Sequence, residues 1–168
     1  ESTIAARLLP RIERGMLLLV DRLYGSYAFL HQAATTGAHL LARTRNNALL
    51  PVETVLADGS YLSHLYASSK ARRHQLGGLA VRVIEYRVQP SGETFRLLTT
   101  LLDPNFAPAA QLAALYPQRW EHEGVYDELK THLRGGAHVV LRSKTAELVR
   151  QEFFGLMLAH HAVRSLML

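Results

Sequence analysis

Met16-Leu17-Leu18-Leu19-Val20 is an unbroken apolar run, released by Gly15 and ended by Asp21. A run this short, with no polar side, suits a strand covered on both faces, the situation of a parallel sheet flanked by helices. Beyond Asp21 the chain passes Gly25 and reaches Ser26, whose hydroxyl is placed to cap a helix over roughly residues 27–35, with Gly37 to close it. Residues 39–43 then form a second strand, and a strand, helix, strand connection returns parallel to the first. The opening therefore predicts an α/β fold with one carboxylate at the end of a buried strand. Upstream, residues 5–14 read as the tail of a helix interrupted by Pro10.

The pattern shifts after residue 43. Residues 44–107 carry β signals: alternation over 79–88, a Pro90-Ser91-Gly92 turn and a second run over 95–102 predict a hairpin. Asp58-Gly59-Ser60, and the basic stretch 70–74 with Gly77-Gly78, read as turns or a solvated loop. After Asp103-Pro104 the pattern becomes helical, with a short helix over 108–115. A second, with Pro117 in its first turn, runs to about Leu133 before Gly135-Gly136, and a final amphipathic helix starts near Thr145 or Ala146. The expected organisation is 1–43, 44–107 and 108–168.

Composition bounds the chemistry. With 168 residues, 48% of them hydrophobic and 20% charged, the chain is large enough for one packed core. The absence of cysteine removes disulfide scaffolds, thiolate zinc sites and cysteine nucleophiles, and makes a reducing compartment, the cytoplasm, the default. No apolar run approaches the roughly 18 residues of a membrane span. The net charge is +5, and 16 of the 19 basic residues are Arg, which suits bidentate phosphate contacts. An Arg-rich codon usage explains the same count. The glycine pairs lack the Lys and Ser/Thr of a nucleotide loop, so no ATP requirement is expected. The nine histidines show no ligand spacing and read as structural or surface groups. The basic stretch 70–74 reads equally as a sequence-blind DNA contact or as a solvated loop.

The helix expected from Pro117 is the most informative segment. At about 100° per residue, Tyr116, Arg119, Glu123 and Lys130 fall at roughly 60°, 0°, 40° and 20°, all on one face. Arg119 and Lys130 are separated by roughly 16 Å of rise, so cations flank a carboxylate along a line that can follow a polynucleotide backbone. An ordinary solvated face with an Arg119–Glu123 pair, contributing about 0.3–0.5 kcal/mol, fits the spacing as well.

The order Tyr, two residues, Arg, three residues, Glu, six residues, Lys in Tyr116 to Lys130 resembles the signature of the DDE transposases of insertion sequence family four. The flanks are similar too: Gly15 to Arg22, Leu101-Leu102-Asp103-Pro104, Leu141-Arg142-Ser143-Lys144 and Val149-Arg150-Gln151-Glu152. The resemblance covers nearly the whole chain. It implies an RNase H-like catalytic core, with a mostly β insertion between its second and third acids and C-terminal helices. In that reading Asp21 is the second acid and Glu123 the third, both catalytic and both ligands to Mg²⁺ (or Mn²⁺), two ions in the intact enzyme. Tyr116, Arg119 and Lys130 are expected to hold phosphates of the transposon end, with Tyr116 open also to a reading as an aromatic at a helix start that packs and exposes its hydroxyl. Trp120 is expected as a neighbour buried against the sheet, or else as a stacking contact on the DNA. The implied activity is phosphodiester hydrolysis and strand transfer on double-stranded DNA, by an enzyme acting as a homodimer in the bacterial cytoplasm, associated with the nucleoid.

The chain departs from the family in one respect. The first acid belongs on a strand upstream of Asp21, yet residues 1–20 contain no Asp. Asp127 and Glu128, on the signature helix, read as surface or supporting charges. The ends look cut, so the expectation is either the C-terminal part of a longer transposase, with N-terminal strands elsewhere, or a decayed, non-catalytic DNA-binding remnant. Either way, the chain alone is expected not to cleave DNA.

Overall fold

The computed structural model describes residues 5–45, 47–88, 92–128 and 140–167. The chain divides into two compact units, Glu1–Tyr116 and Pro117–Leu168.

The first unit is built on one six-stranded mixed sheet. Its elements are β1 (Leu17–Val20), α1 (Tyr27–Ala34), β2 (His39–Arg43), β3 (Thr54–Val55), β4 (Tyr61–Leu65), α2 (Ser69–Arg73), β5 (Leu79–Val88), β6 (Glu93–Thr99) and α3 (Ala109–Leu115). The strand order is β1-β2-β6-β5-β4-β3. As the apolar run predicts, β1 and β2 are parallel, pairing Leu17 with His39 through Val20 with Ala42. Every other pairing is antiparallel. The predicted hairpin is β5 and β6, and β6 lies directly against β2, so the strands after residue 43 extend the sheet that β1 and β2 begin.

Alternation along the strands sends side chains to two cores. Val20, Leu40, Ala42, Val81, Val83 and Leu98 pack with Leu30 and Ala33 of α1 on one face. Leu41, Ile84 and Leu97 pack with Leu112 of α3 and Tyr116 on the other. Helices therefore cover both faces, which is why β1 tolerates no polar position. Leu30, Leu40 and Leu41 are fully buried, each stabilising the fold by about 1.5–3 kcal/mol. The cap on α1 is as expected: Ser26 Oγ accepts from Phe29 N at 3.3 Å, and Gly37 leaves the helix at φ +81°.

Two local expectations are corrected. Residues 70–74 are not a loop: α2 forms there because Ser68 Oγ accepts from Ala71 N at 3.1 Å, and Gln75 at φ +53° ends it. The second unit does not open with an α-helix at Pro117. Tyr116–Arg119 is a 3-10 turn, followed by α4 (Trp120–Asp127), and Ala146–Met167 forms α5. The expected extension to Leu133 lies outside the described residues. α5 starts at Ala146, where the sequence places it, and the Thr145 hydroxyl caps it by accepting from Leu148 N at 3.3 Å.

One buried polar cluster ties the segment before α3 to the sheet. Arg82 of β5 is fully buried; its Nη2 donates to Ala107 O and lies 3.8 Å from Asp58 Oδ2. Asp58, in the β3–β4 turn, accepts from Ala109 N, Ser60 N and Ser60 Oγ. Burial pushes the Asp58 carboxyl up, but those hydrogen bonds, led by the Ser60 hydroxyl, and the Arg82 charge outweigh it and hold it below its ordinary value. A depressed carboxylate stabilises the fold above its unfolded-state pKa, and that contribution disappears as pH falls through the folded-state value. Asp58→Ala removes the larger of the two carboxylate charges acting on the buried guanidinium, leaving Asp103, and should cost about 3 kcal/mol in urea unfolding at pH 7. Arg82→Met, which removes the charge and keeps the volume, should cost clearly less. Between about pH 5 and pH 2 the intact protein should lose stability faster than Asp58→Asn; parallel pH curves would contradict the assigned coupling.

Candidate active site

Asp21 follows directly on β1 and caps the 3-10 turn Arg22–Tyr24, its Oδ1 accepting from Leu23 N at 2.9 Å. This bond fixes how the carboxylate leaves the strand. Gly25 ends the turn where space runs out: a Cβ there would sit 3.3 Å from Arg22 O and 3.4 Å from Arg43 O. The turn is thus pressed onto the end of β2. Asp21, Arg22, Leu23, Arg45 and Asn47 line an open groove of about 680 Å³ at this end of the parallel pair. Ligands of open α/β sheets characteristically bind beyond the carboxyl ends of the strands.

Tyr116 reaches the same strand from the other face. Its ring is buried, and its hydroxyl donates to Val20 O, one residue before Asp21, at 3.1 Å. The expectation of a hydroxyl presented to a DNA phosphate is revised accordingly: Tyr116 packs in the core and braces the end of β1. The 3-10 geometry also changes the stripe drawn from the sequence, because about 120° per residue replaces 100° between Tyr116 and Arg119. Arg119 is half-buried at the start of α4. Trp120, the first residue of α4, is exposed. Glu123 lies within α4, though its side chain is outside the described residues, as is the whole of Lys130.

Among the described residues no group of three or more His, Asp or Glu side chains forms a metal site. The donor at hand is Asp21, a hard oxygen ligand of the type a divalent cation such as Mg²⁺ prefers. Two histidines have ion-pair partners instead: His64 Nδ1 lies 2.8 Å from Glu53 Oε2, and His160 Nε2 lies 2.7 Å from Glu128 Oε2. In the second unit, Glu152 of α5 accepts from Arg142 N and Ser143 N, both at 3.1 Å. The Ser143 side-chain hydrogen bond, then the two N–H groups, hold its carboxyl below the ordinary value. Two stretches quoted as flanks of the signature, 141–144 and 149–152, therefore meet through Glu152.

A carboxylate set at the end of a parallel strand, with a Tyr-Arg-Glu spacing downstream, is the pattern of one group of DNA-processing domains. The chain belongs to it: the model of the transposase DDE domain family matches residues 1–161. Among individual proteins, the chain is similar to the transposase InsG for insertion sequence element IS4 of Escherichia coli (strain K12). The two are 32% identical over 167 residues, which is 98% of this chain and 38% of the relative. The resemblance read from the signature is borne out. The chain spans 38% of the length of that curated relative.

The brace on β1 is directly testable. Tyr116→Phe removes the donor to Val20 O and with it one buried hydrogen bond, so urea unfolding should show a loss of about 0.5–1.5 kcal/mol. No loss would mean that the hydroxyl does not stabilise the strand end.

Proposed function

We propose that this chain carries part of the catalytic core of an insertion-sequence transposase. In this reading the core is RNase H-like, residues 1–43 and 108–168 contribute to it, and 44–107 are the β-rich insertion. Asp21 and Glu123 are the catalytic carboxylates and ligate Mg²⁺ or Mn²⁺. The observation that carries the reading is the position of Asp21: an acid fixed at the end of a buried parallel strand, opening on a groove, in a chain of the DDE family.

The chain's own residues divide the work. Asp21 is held by the Leu23 N–H through one oxygen, which orients the carboxylate before a ligand arrives. Val20, fixed by Tyr116, keeps the strand end from fraying. Arg119 and Lys130 neutralise phosphates beside the scissile bond, and the exposed ring of Trp120 offers a face on which a base can stack. When bound, a pair of divalent ions activates the attacking water or 3′-hydroxyl and stabilises the leaving oxygen. The substrate in this reading is double-stranded DNA at transposon ends, and the enzyme works as a homodimer in the cytoplasm. Among the described residues no helix is long and apolar enough to cross a membrane.

A second reading, a DNA-binding module without chemistry, draws on the net charge of +5, which suits an anionic partner with or without a metal site. Cleavage of a labelled transposon end in Mg²⁺ separates the two. The 168-residue chain alone should yield no product. A longer chain that supplies a carboxylate strand upstream of Glu1 should cleave, and Glu123→Gln in it should abolish cleavage while leaving DNA affinity within about twofold. Mg²⁺-dependent product from the short chain, or unchanged cleavage in Glu123→Gln, would contradict the proposed assignment.

A further inference from the structure

The arginines of the first unit fall into two sets. Arg43 is committed to Glu93 at 2.9 Å and lies over the Phe95 ring; Arg96 pairs with Glu85 at 2.8 Å; Arg82 is buried with Asp58. Arg22 and Arg45 are exposed, form no side-chain hydrogen bond or ion pair with the described residues, and line the groove at Asp21. Two exposed cations kept beside a carboxylate without pairing to it leave their charge for another anion.

The groove does not end at Arg45. Asn47 lines it and also lines an adjoining cleft, whose wall combines Ser68, Ser69 and Arg72 with Ala48, Leu49, Leu65 and Tyr66. Arg72 belongs to α2, a basic stretch whose composition fits a DNA contact and a solvated surface alike. The placement of α2 is structural. Tyr27, the first residue of α1, donates its hydroxyl to Gly77 O, just past the end of α2. Gly78 lies so close to Tyr66 that a Cβ would approach its ring to 2.8 Å. The segment after α2 is thereby fixed to the frame that carries Asp21. The polar residues of the lining fit a sugar–phosphate backbone, with the apolar ones beneath: guanidiniums take phosphate oxygens bidentately, and Asn and Ser side chains donate singly to phosphates.

We propose that these two cavities form one track for the DNA backbone, leading from Asp21 past Arg22 and Arg45, over Asn47, to Arg72. The proposal rests on the transposase reading for its ligand, and it assigns to the β-rich segment a part of the DNA grip beyond the signature residues. The contacts are to phosphates, so the affinity they contribute is independent of sequence and strongly salt-dependent.

The test is the binding of a short fluorescein-labelled DNA duplex of arbitrary sequence to the 168-residue chain, by anisotropy across a KCl series in EDTA. Arg22→Ala, Arg45→Ala and Arg72→Ala should each reduce the slope of log K against log salt by about 0.9, and the triple variant by about 2.7. Lys at each position should keep the slope, showing that lost charge and not lost folding is responsible. Arg87→Ala, an exposed arginine on β5 outside both cavities, should change nothing. An unchanged slope in the triple variant, or an equal effect of Arg87→Ala, would overturn the track. Because EDTA removes divalent ions, this result is independent of whether Asp21 and Glu123 bind metal. A failed metal site would leave the slopes as they are, and a failed track would leave the metal site untouched.

Discussion

The parallel ladder of β1 on β2 is the constraint on which the rest of the first unit depends. Four residues, Leu17 to Val20, must pair with His39 to Ala42, and the connection between them must cross over, so α1 has to pack on the sheet. With α1 on one face and α3 on the other, each position of β1 faces a core, and polarity is admitted only where the strand ends. That position is Asp21. The carboxylate is therefore placed by hydrophobic burial, and its own interactions, the turn to Leu23 and the Tyr116 brace on Val20, refine its direction.

Two polar devices then relate the distant parts of the chain to this strand. Asp58 and Arg82 fasten the approach to α3, through Ala107 and Ala109, and α3 leads directly to Tyr116. Tyr116 in turn fixes Val20. A buried guanidinium is a costly choice for a fastening, because its desolvation must be offset by well-placed acceptors. Here the residues before α3 supply one acceptor, Ala107 O, and the β3–β4 turn supplies the Asp58 charge 3.8 Å away, while Arg82 Nε and Nη1 are buried without a hydrogen-bond partner among the described residues. The β-rich segment is thus more than an appendage to the strands that precede it: it extends their sheet, anchors the approach to α3 and borders the groove at Asp21.

Much of this was legible from local pattern. The apolar run, the Ser26 cap and the alternation of β5 and β6 each carry their signal within a few residues, and each element forms where that signal lies. Asp21 was legible for the same reason, as the polar residue that ends an apolar run. The strands β3 and β4 were not, since the two residues Thr54-Val55 carry no period and Tyr61-Leu62-Ser63-His64-Leu65 does not alternate cleanly. Nor was α2, because Lys-Ala-Arg-Arg-His is polar in any conformation and only Ser68 marks its start. Arg82 sits within an alternating strand, and nothing nearby points to Asp58. Tyr116 was read as part of a solvent-facing stripe, whereas its partner Val20 is 96 residues away. Long-range polar pairing has no periodicity, and it is there that sequence reading stopped.

Central to the proposed chemistry is a shared ion, with Asp21 and Glu123 as ligands. The most direct measurement is paramagnetic broadening of backbone amide NMR signals on titration with Mn²⁺. Signals of residues around both Asp21 and Glu123 should broaden together at the lowest Mn²⁺ additions, and Asp21→Asn should suppress both effects at once. Broadening at one position without the other, or broadening at Glu123 that persists unchanged in Asp21→Asn, would contradict a common site.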